Sequence, residues 1–415
     1  MFTLWFIVFL FADLATRSWV ASRQIRHVLR HRDQVPPEFS DRIGLRSHQR
    51  AADYTLAKVR LGLVETVIEA GVLIAFTLLG GLQWLDLHWA RAIDSEMWRQ
   101  LALVGSVILI ISLVGLPFSL WRKFRLEARF GFNRMTPRLF AVDMAKGLVV
   151  TLALGAPLVA LVLWVMGNTG PHWIWWAWAV WVGFNFLIIW LYPTIIAPLF
   201  NKFTPLQDQT VAERVNALAQ RCGFELNGLF VMDGSKRSAH GNAYFTGFGR
   251  SRRIVFFDTL LARLNPVEIE AVLAHELGHF KHRHIVKRMA ISFAAALVFF
   301  AMLGWLTQQV WFYTGLGVLP QLGRPNDALA LILFFLVMPV FTFWVTPLAS
   351  WFSRRDEFQA DRYAARQSSA DALISALVKL YDDNAATLTP DPVHSAFYDS
   401  HPPAALRIQK LRHGA

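Results

Sequence analysis

The sequence predicts a mainly α, polytopic membrane protein of seven spanning helices, with polar segments between and after them that fold into one domain carrying a small β-sheet. Three observations predict it. The 415 residues are 55% hydrophobic and include 17 tryptophans, at a mean hydropathy of +0.37, whereas soluble domains average about 45–50% apolar. The excess is gathered into runs of about 20 residues, the length that crosses a bilayer as a helix. Two stretches, 194–288 and 354–415, carry no such run. The chain therefore divides into spans 1–5 with their loops (1–193), a polar segment (194–288), spans 6 and 7 (289–353) and a C-terminal segment (354–415).

The spans are expected at 2–21, 61–85, 101–121, 147–168, 172–193, 289–313 and 327–352. The first is a retained helix, not a signal peptide: no basic residues precede its apolar run, and Arg17 and Arg23 follow it. Arg23, Arg26, Arg30 and Arg32 follow span 1. Arg122, Lys123, Arg125 and Arg129 follow span 3, and Arg354 and Arg355 follow span 7. The opposite loops are poor in Lys and Arg. This bias puts the N-terminus outside and the C-terminus and both polar segments in the cytoplasm. The formal charge of +12 is accounted for by these clusters, so nucleic-acid binding is excluded. A single cysteine, Cys222, rules out an intrachain disulfide and a cysteine-built metal site. Low lysine beside abundant Arg, Ala, Leu and Trp suggests a bacterial inner membrane. A monomer is expected.

Within 194–288, "TVAERVNALAQRCGF" has the period of an amphipathic helix. "NGLFVMD", "NAYFTGFG" and "RRIVFFD" read as short strands, the last two joined by Gly-rich turn chemistry. "LNPVEIEAVLAHELGHFKH" then offers Asn265 as N-cap, Pro266 at the first helical position and Glu268 at the third. A helix is expected from there toward Lys287.

That helix carries "AHELGHFKHRH", residues 274–284. His-Glu-x-x-His puts His275 and His279 four apart on one helical face with Glu276 beside them, the pattern of two metal ligands and a general base. A catalytic zinc takes three protein ligands and keeps one position for water. His282 lies about 10 Å along the axis from His275 at 1.5 Å per residue, so it and His284 are set aside as surface or supporting groups. A third histidine reached by His-x-x-Gly-x-x-His is excluded, since His282 stands at the Gly position and Ile285 at the His position. "SRRDEFQADRYAARQ" offers a carboxylate instead. Glu357 and Asp361 again share one face, with Glu357 completing a His₂Glu set and Asp361 placed to accept a hydrogen bond from a ligand histidine.

These motifs, with "GSKRSAHGNAYFTGFG" (234–249) and "SHPPAALR" (400–407), resemble the type I CAAX prenyl endopeptidases, integral membrane zinc metalloproteases of seven spans. The resemblance covers nearly the whole chain. It implies one zinc held by His275, His279 and Glu357 in a gluzincin-like cytoplasmic domain, Glu276 as general acid/base, and Asp361 as a support behind a ligand. It further implies that His401 stabilises an oxyanion, that Arg407 lies near the metal carboxylate or substrate, and that Asn242 and Ala243 hold substrate, as an edge strand pairs with an extended peptide. The expected partner is a peptide or protein, prenylated if the family's substrate class carries over. A broad quality-control protease is the alternative. The resemblance also implies a water-filled chamber, and Asp13, Glu65, Glu69 and Asn185 inside spans are compatible with one. Proteolysis inside the bilayer is excluded by Glu268, Glu270, Lys281 and Arg283 around the motif. A transporter or receptor with a structural metal would close its site with four ligands and leave Glu276 without a purpose.

Overall fold

The computed structural model describes residues 1–246, 253–321 and 323–413. Among the described residues six helices are long and apolar enough to cross a bilayer: Phe2–Arg30, Glu96–Glu127, Pro137–Asn168, Gly170–Phe200, His284–Leu306 and Asp327–Gln367. A bent pair, Leu45–Phe76 with Gly81–Ala92, makes the count seven if it is one span. It bends by 50° at a break where Gly80 has φ +75°, the left-handed region that glycine enters without a Cβ penalty. The expected span 61–85 straddles this break.

The helices meet two solvents. Along Gly170–Phe200 no residue of the most apolar window is fully buried; Trp175 and Trp176 stand outward there, as Leu148 and Val149 do on Pro137–Asn168. A surface of that kind requires lipid around it. The segment Asp327–Thr342 is the reverse case. It runs through the centre of the bundle, with Leu329, Leu333, Phe334 and Val337 buried against Phe6, Leu103, Leu163 and Leu303. A 3-10 turn at Phe343–Val345 joins it to Thr346–Gln367. Span 7 and the Glu357 helix are thus one near-continuous rod.

The spans enclose a cavity of about 520 Å³ lined by Asp13, Arg17, Glu65, Glu69 and Arg122 among others. Asp13 pairs with Arg17 at 2.9 Å, and Arg122 reaches across from its own helix to Glu65. Three of the four intramembrane polar residues singled out from sequence therefore share one space. Asn185 does not: its side-chain amide donates to the Trp181 carbonyl on its own helix.

The polar segments share a second core. Val211, Val215 and Leu218 of helix Gln209–Arg221 pack with Ile254, Phe256, Ile269, Leu273 and Leu277, and with Leu373, Leu377 and Ile408 from the C-terminal segment. Phe39 and Ile43, from the loop after the first helix, enter the same core, which the sequence reading did not anticipate. The sheet has four strands in the order β1-β2-β4-β3: β1 Phe203–Pro205, β2 Leu229–Met232, β3 Ala243–Thr246 and β4 Arg253–Phe257. β2 and β4 run parallel, and β3 pairs antiparallel to β4 at the edge. The three expected strands are present, and β1 is additional. The Gly-rich turn at 247–252 lies outside the described residues.

Candidate metal centre

The motif helix runs Pro266–Lys281 and starts as its sequence dictates. Asn265 Oδ1 accepts from the Glu268 N–H and Glu268 Oε2 accepts from the Asn265 N–H, a closed capping box with Pro266 at the first position. Buried Glu268 is also bound by Ser375 and Lys379 at 2.7 and 2.8 Å. Burial disfavours its charge, but the Lys379, Asn265 and Ser375 bonds outweigh that and hold its pKa below the ordinary value. The helix does not reach Lys287. It ends at Lys281, Arg283 adopts φ 56°, and a new helix starts at His284.

The motif helix lies directly on the helix Thr346–Gln367. At Gly278 the two backbones nearly touch: a Cβ there would sit 2.9 Å from Ala360 Cα. That approach brings Glu357 to the two histidines. His275 Nε2 and His279 Nε2 are 3.2 Å apart, and Glu357 oxygens lie 3.4 Å from the first and 3.3 Å from the second. The 3.4 Å contact is to Oε2 and the 3.3 Å contact to Oε1, so the carboxylate straddles the two histidines, and one ligand atom from each residue lies within 4.8 Å of the others, close enough to share one metal.

Behind the donors is a buried relay. His275 Nδ1 bonds Asp361 Oδ1 at 2.9 Å, and Arg407 grips both Asp361 oxygens at 2.8 and 2.6 Å. A carboxylate only accepts, so Nδ1 carries the proton and Nε2 is left to bind a metal. Glu357, Asp361 and Arg407 are each at most 6% exposed, so the cluster holds two buried carboxylates against one guanidinium. Burial works against charge on His275, but its hydrogen bonds to Asp361 and Glu357 prevail and push its pKa up to about 9. The site attracts positive charge where a metal would sit.

The remaining candidates fall around this centre. Glu276 is half-buried beside His275. His401 Nδ1 lies 2.7 Å from Glu357 Oε2 while its side chain is 61% exposed, so it touches a ligand carboxylate and faces solvent. Asn242 and Ala243 enter β3. The Asn242 carbonyl accepts from Phe257 N–H of β4, so by antiparallel alternation the Ala243 carbonyl and the Phe245 N–H and carbonyl point to the free edge. The Ala243 N–H is taken by Asn242 Oδ1 at 2.8 Å.

Two further supports surround the donors: one the sequence left open as a surface or supporting group, the other it read only as a loop charge. His284, set aside as a neighbour, is buried and places Nδ1 3.0 Å from His279 Nδ1, with Nε2 3.1 Å from Gln359. Only the left-handed turn at Arg283 folds it back. His282 stacks on His284, not on the metal-facing side. Arg354, read as a positive-inside charge, instead donates to the Ser395 and Asp399 carbonyls at 2.9 Å, tying down the turn before His401.

A helix pair that converges a His₂Glu donor set on one point, set on membrane spans, defines the class: a membrane-embedded metallopeptidase. Comparison with known proteins agrees. Residues 24–202 match the model of the CAAX prenyl protease N-terminal region with five membrane helices, and residues 205–415 match peptidase family M48. The chain is 32% identical to CAAX prenyl protease 1 of Saccharomyces cerevisiae, covering 97% of this chain and 93% of that one. It is 37% identical to a CAAX prenyl protease 1 homolog of rice over 77% and 74% of the two. The crystal structure of S. mikatae Ste24p superposes with a TM-score of 0.91 at 31% identity, covering 99% and 98% of the two chains. The protein belongs to the M48 family of CAAX prenyl proteases and is a metalloendopeptidase of the membrane.

Proposed function

We propose that the protein uses one zinc ion, held by His275, His279 and Glu357, to cleave the C-terminal tripeptide from prenylated Cys-a-a-X proteins, on the cytoplasmic side of its membrane. The observation that supports the metal assignment is the convergence of His275, His279 and Glu357, with one ligand atom from each within 4.8 Å of the others. The substrate class comes from the relatives' names, CAAX prenyl protease 1. The orientation comes from the arginines at the protein's sheet-bearing end. In this reading residues 194–288 and 354–415 are one protease unit and 1–193 with 289–353 the membrane unit, acting as a monomer.

Bound zinc would supply a Lewis acid that makes its water a nucleophile near neutral pH. The protein does the rest. Glu276 takes the water proton and hands it to the leaving amine. The free edge at Ala243 and Phe245 holds the peptide extended by main-chain hydrogen bonds. His401 donates from Nδ1 to Glu357, which positions its ring at the solvent-facing side of the site to stabilise the developing oxyanion. Asp361 and Arg407 fix the His275 tautomer.

Two measurements test this. Glu276→Gln should bind zinc like the wild type and lose about 10²–10⁴ in rate; a variant cleaving at the wild-type rate rejects the mechanism. Purified protein should cleave a farnesylated Cys-a-a-X peptide faster than its unmodified twin. Equal rates would favour broad quality-control proteolysis.

A further inference from the structure

A cavity of about 500 Å³, separate from the spans' interior, opens where two spans meet the sheet. Lys146, Lys202, Lys236 and Asp233 line it, with Leu199 and Phe203 among its walls. The lysines come from three elements. Lys146 is the last charged residue before the apolar run of Pro137–Asn168, Lys202 follows the helix Ala197–Phe200, and Lys236 lies in the 3-10 turn Gly234–Lys236. The inside-positive bias scatters basic residues along loops. It gives no reason for three elements to bring theirs around one space.

Positive charge is in excess there, with three lysines against the one carboxylate of Asp233. The nearby Asp143 is consumed by Arg237, at 2.8 and 2.9 Å, and Asp233 Oδ1 accepts the backbone N–H of Lys202 at 2.7 Å. Lys146 donates to the Leu199 carbonyl at 2.8 Å, which holds its ammonium at the rim without neutralising it. Among the described residues none of the three lysines forms an ion pair. Within two turns of Lys146 the surface becomes apolar, with Leu148, Val149 and Leu152 exposed, and Ile195 and Leu199 exposed on the neighbouring span. A cationic cradle thus sits at the end of a lipid-facing groove, the arrangement that binds phosphate headgroups between spans.

We propose that this cavity binds the phosphate headgroup of an anionic phospholipid, with its acyl chains along the exposed groove. The test uses the full-length protein in phosphatidylcholine nanodiscs with and without phosphatidylglycerol, reading retained lipid by native mass spectrometry and thermal stability in parallel. Phosphatidylglycerol should be retained and should raise stability. Retention should fall roughly fivefold for each lysine removed along the series to K146Q/K202Q/K236Q, while K146R/K202R/K236R should retain it. Undiminished retention in the glutamine variant overturns the proposal. So does equal stabilisation by inorganic phosphate alone, which would mark a free-anion site. Should the triple variant not fold, the exposed single variants K202Q and K236Q carry the test, and unchanged retention in both overturns it.

Discussion

Replacing Asp361 by asparagine asks how the ligand histidine is held. Asp361 Oδ1 receives both His275 Nδ1, at 2.9 Å, and Arg407 Nη2, at 2.6 Å, while Oδ2 receives Arg407 Nε at 2.8 Å. Three donors thus point at one carboxylate that has no proton to offer. An asparagine supplies one acceptor oxygen and an NH₂. If the oxygen takes the Oδ1 place, the NH₂ faces Arg407 Nε–H in a buried space. If the amide turns over, the NH₂ faces His275 Nδ1, and the ring is driven to the tautomer whose proton sits on Nε2, where the metal must bind. A lost hydrogen bond to a charged group is worth about 1.5–3 kcal/mol, and loss of a ligand's supporting partner weakens metal binding by roughly 10–100-fold. The substitution also removes one of two buried negative charges, which lowers affinity for a dication in the same direction. The expected result for Asp361→Asn is therefore zinc affinity lower by about one to two orders of magnitude, read by competition with a chromophoric chelator. Folding of the metal-free protein is checked alongside. Zinc affinity within twofold of wild type, in a folded variant, would refute the relay.

Three other outcomes are expected. Gly278→Ala places a Cβ 2.9 Å from Ala360 Cα and 3.1 Å from its carbonyl oxygen. Neither is a flexible side-chain end, so the helices must part, at a cost of about 1–3 kcal/mol; denaturation and chelator competition should both show a loss, and wild-type values in both would contradict the close approach. Glu268→Gln keeps a capping-box partner but not the charge facing Lys379. Since the folded pKa of Glu268 is depressed, its pairing stabilises the protein above the unfolded pKa, about 4.3, and is lost as pH falls through the folded value. Thermal melts should show wild type losing stability more steeply than the variant on acidification below about pH 5; parallel curves would reject the pairing. Cysteines placed at Glu65 and Glu69 in a Cys222→Ser background should react with a charged, water-soluble thiol reagent, because both positions line the intramembrane cavity. No labelling would mean that the cavity is dry.

Much of the architecture was legible because its causes are local or set by the bilayer. Span positions follow from apolar run length, and the capping box of Asn265 and Glu268 from residues three apart. The pairing of His275 with His279 follows from helical period. Glu357 could be favoured because a His₂ motif lacks a ligand and one later helix offers a carboxylate pair. The misreadings have equally local causes. Nothing in the periodicity of 274–288 marks the stop at Lys281, because Arg283 enters the left-handed region without being glycine. A straight helix would have carried His284 away from His279. Arg354 looked like one more charge beside a span, since its partners are backbone carbonyls about 40 residues later, which no side-chain pattern announces.

By itself the sequence determined that the chain crosses a membrane several times, that a polar unit is built from two separated segments, and which residue types could hold a metal. Run length, charge bias and the 3.6-residue period are properties of consecutive residues. Only the tertiary structure decided how the site is assembled. It closed Gly278 onto Ala360 and aligned Arg407, Asp361 and His275 across 132 residues of chain. It turned His284 back under His279 and put the free edge of β3 at the margin of its sheet. These depend on how helices and strands pack against one another, and packing is set by the fit of whole surfaces, which short-range patterns do not contain.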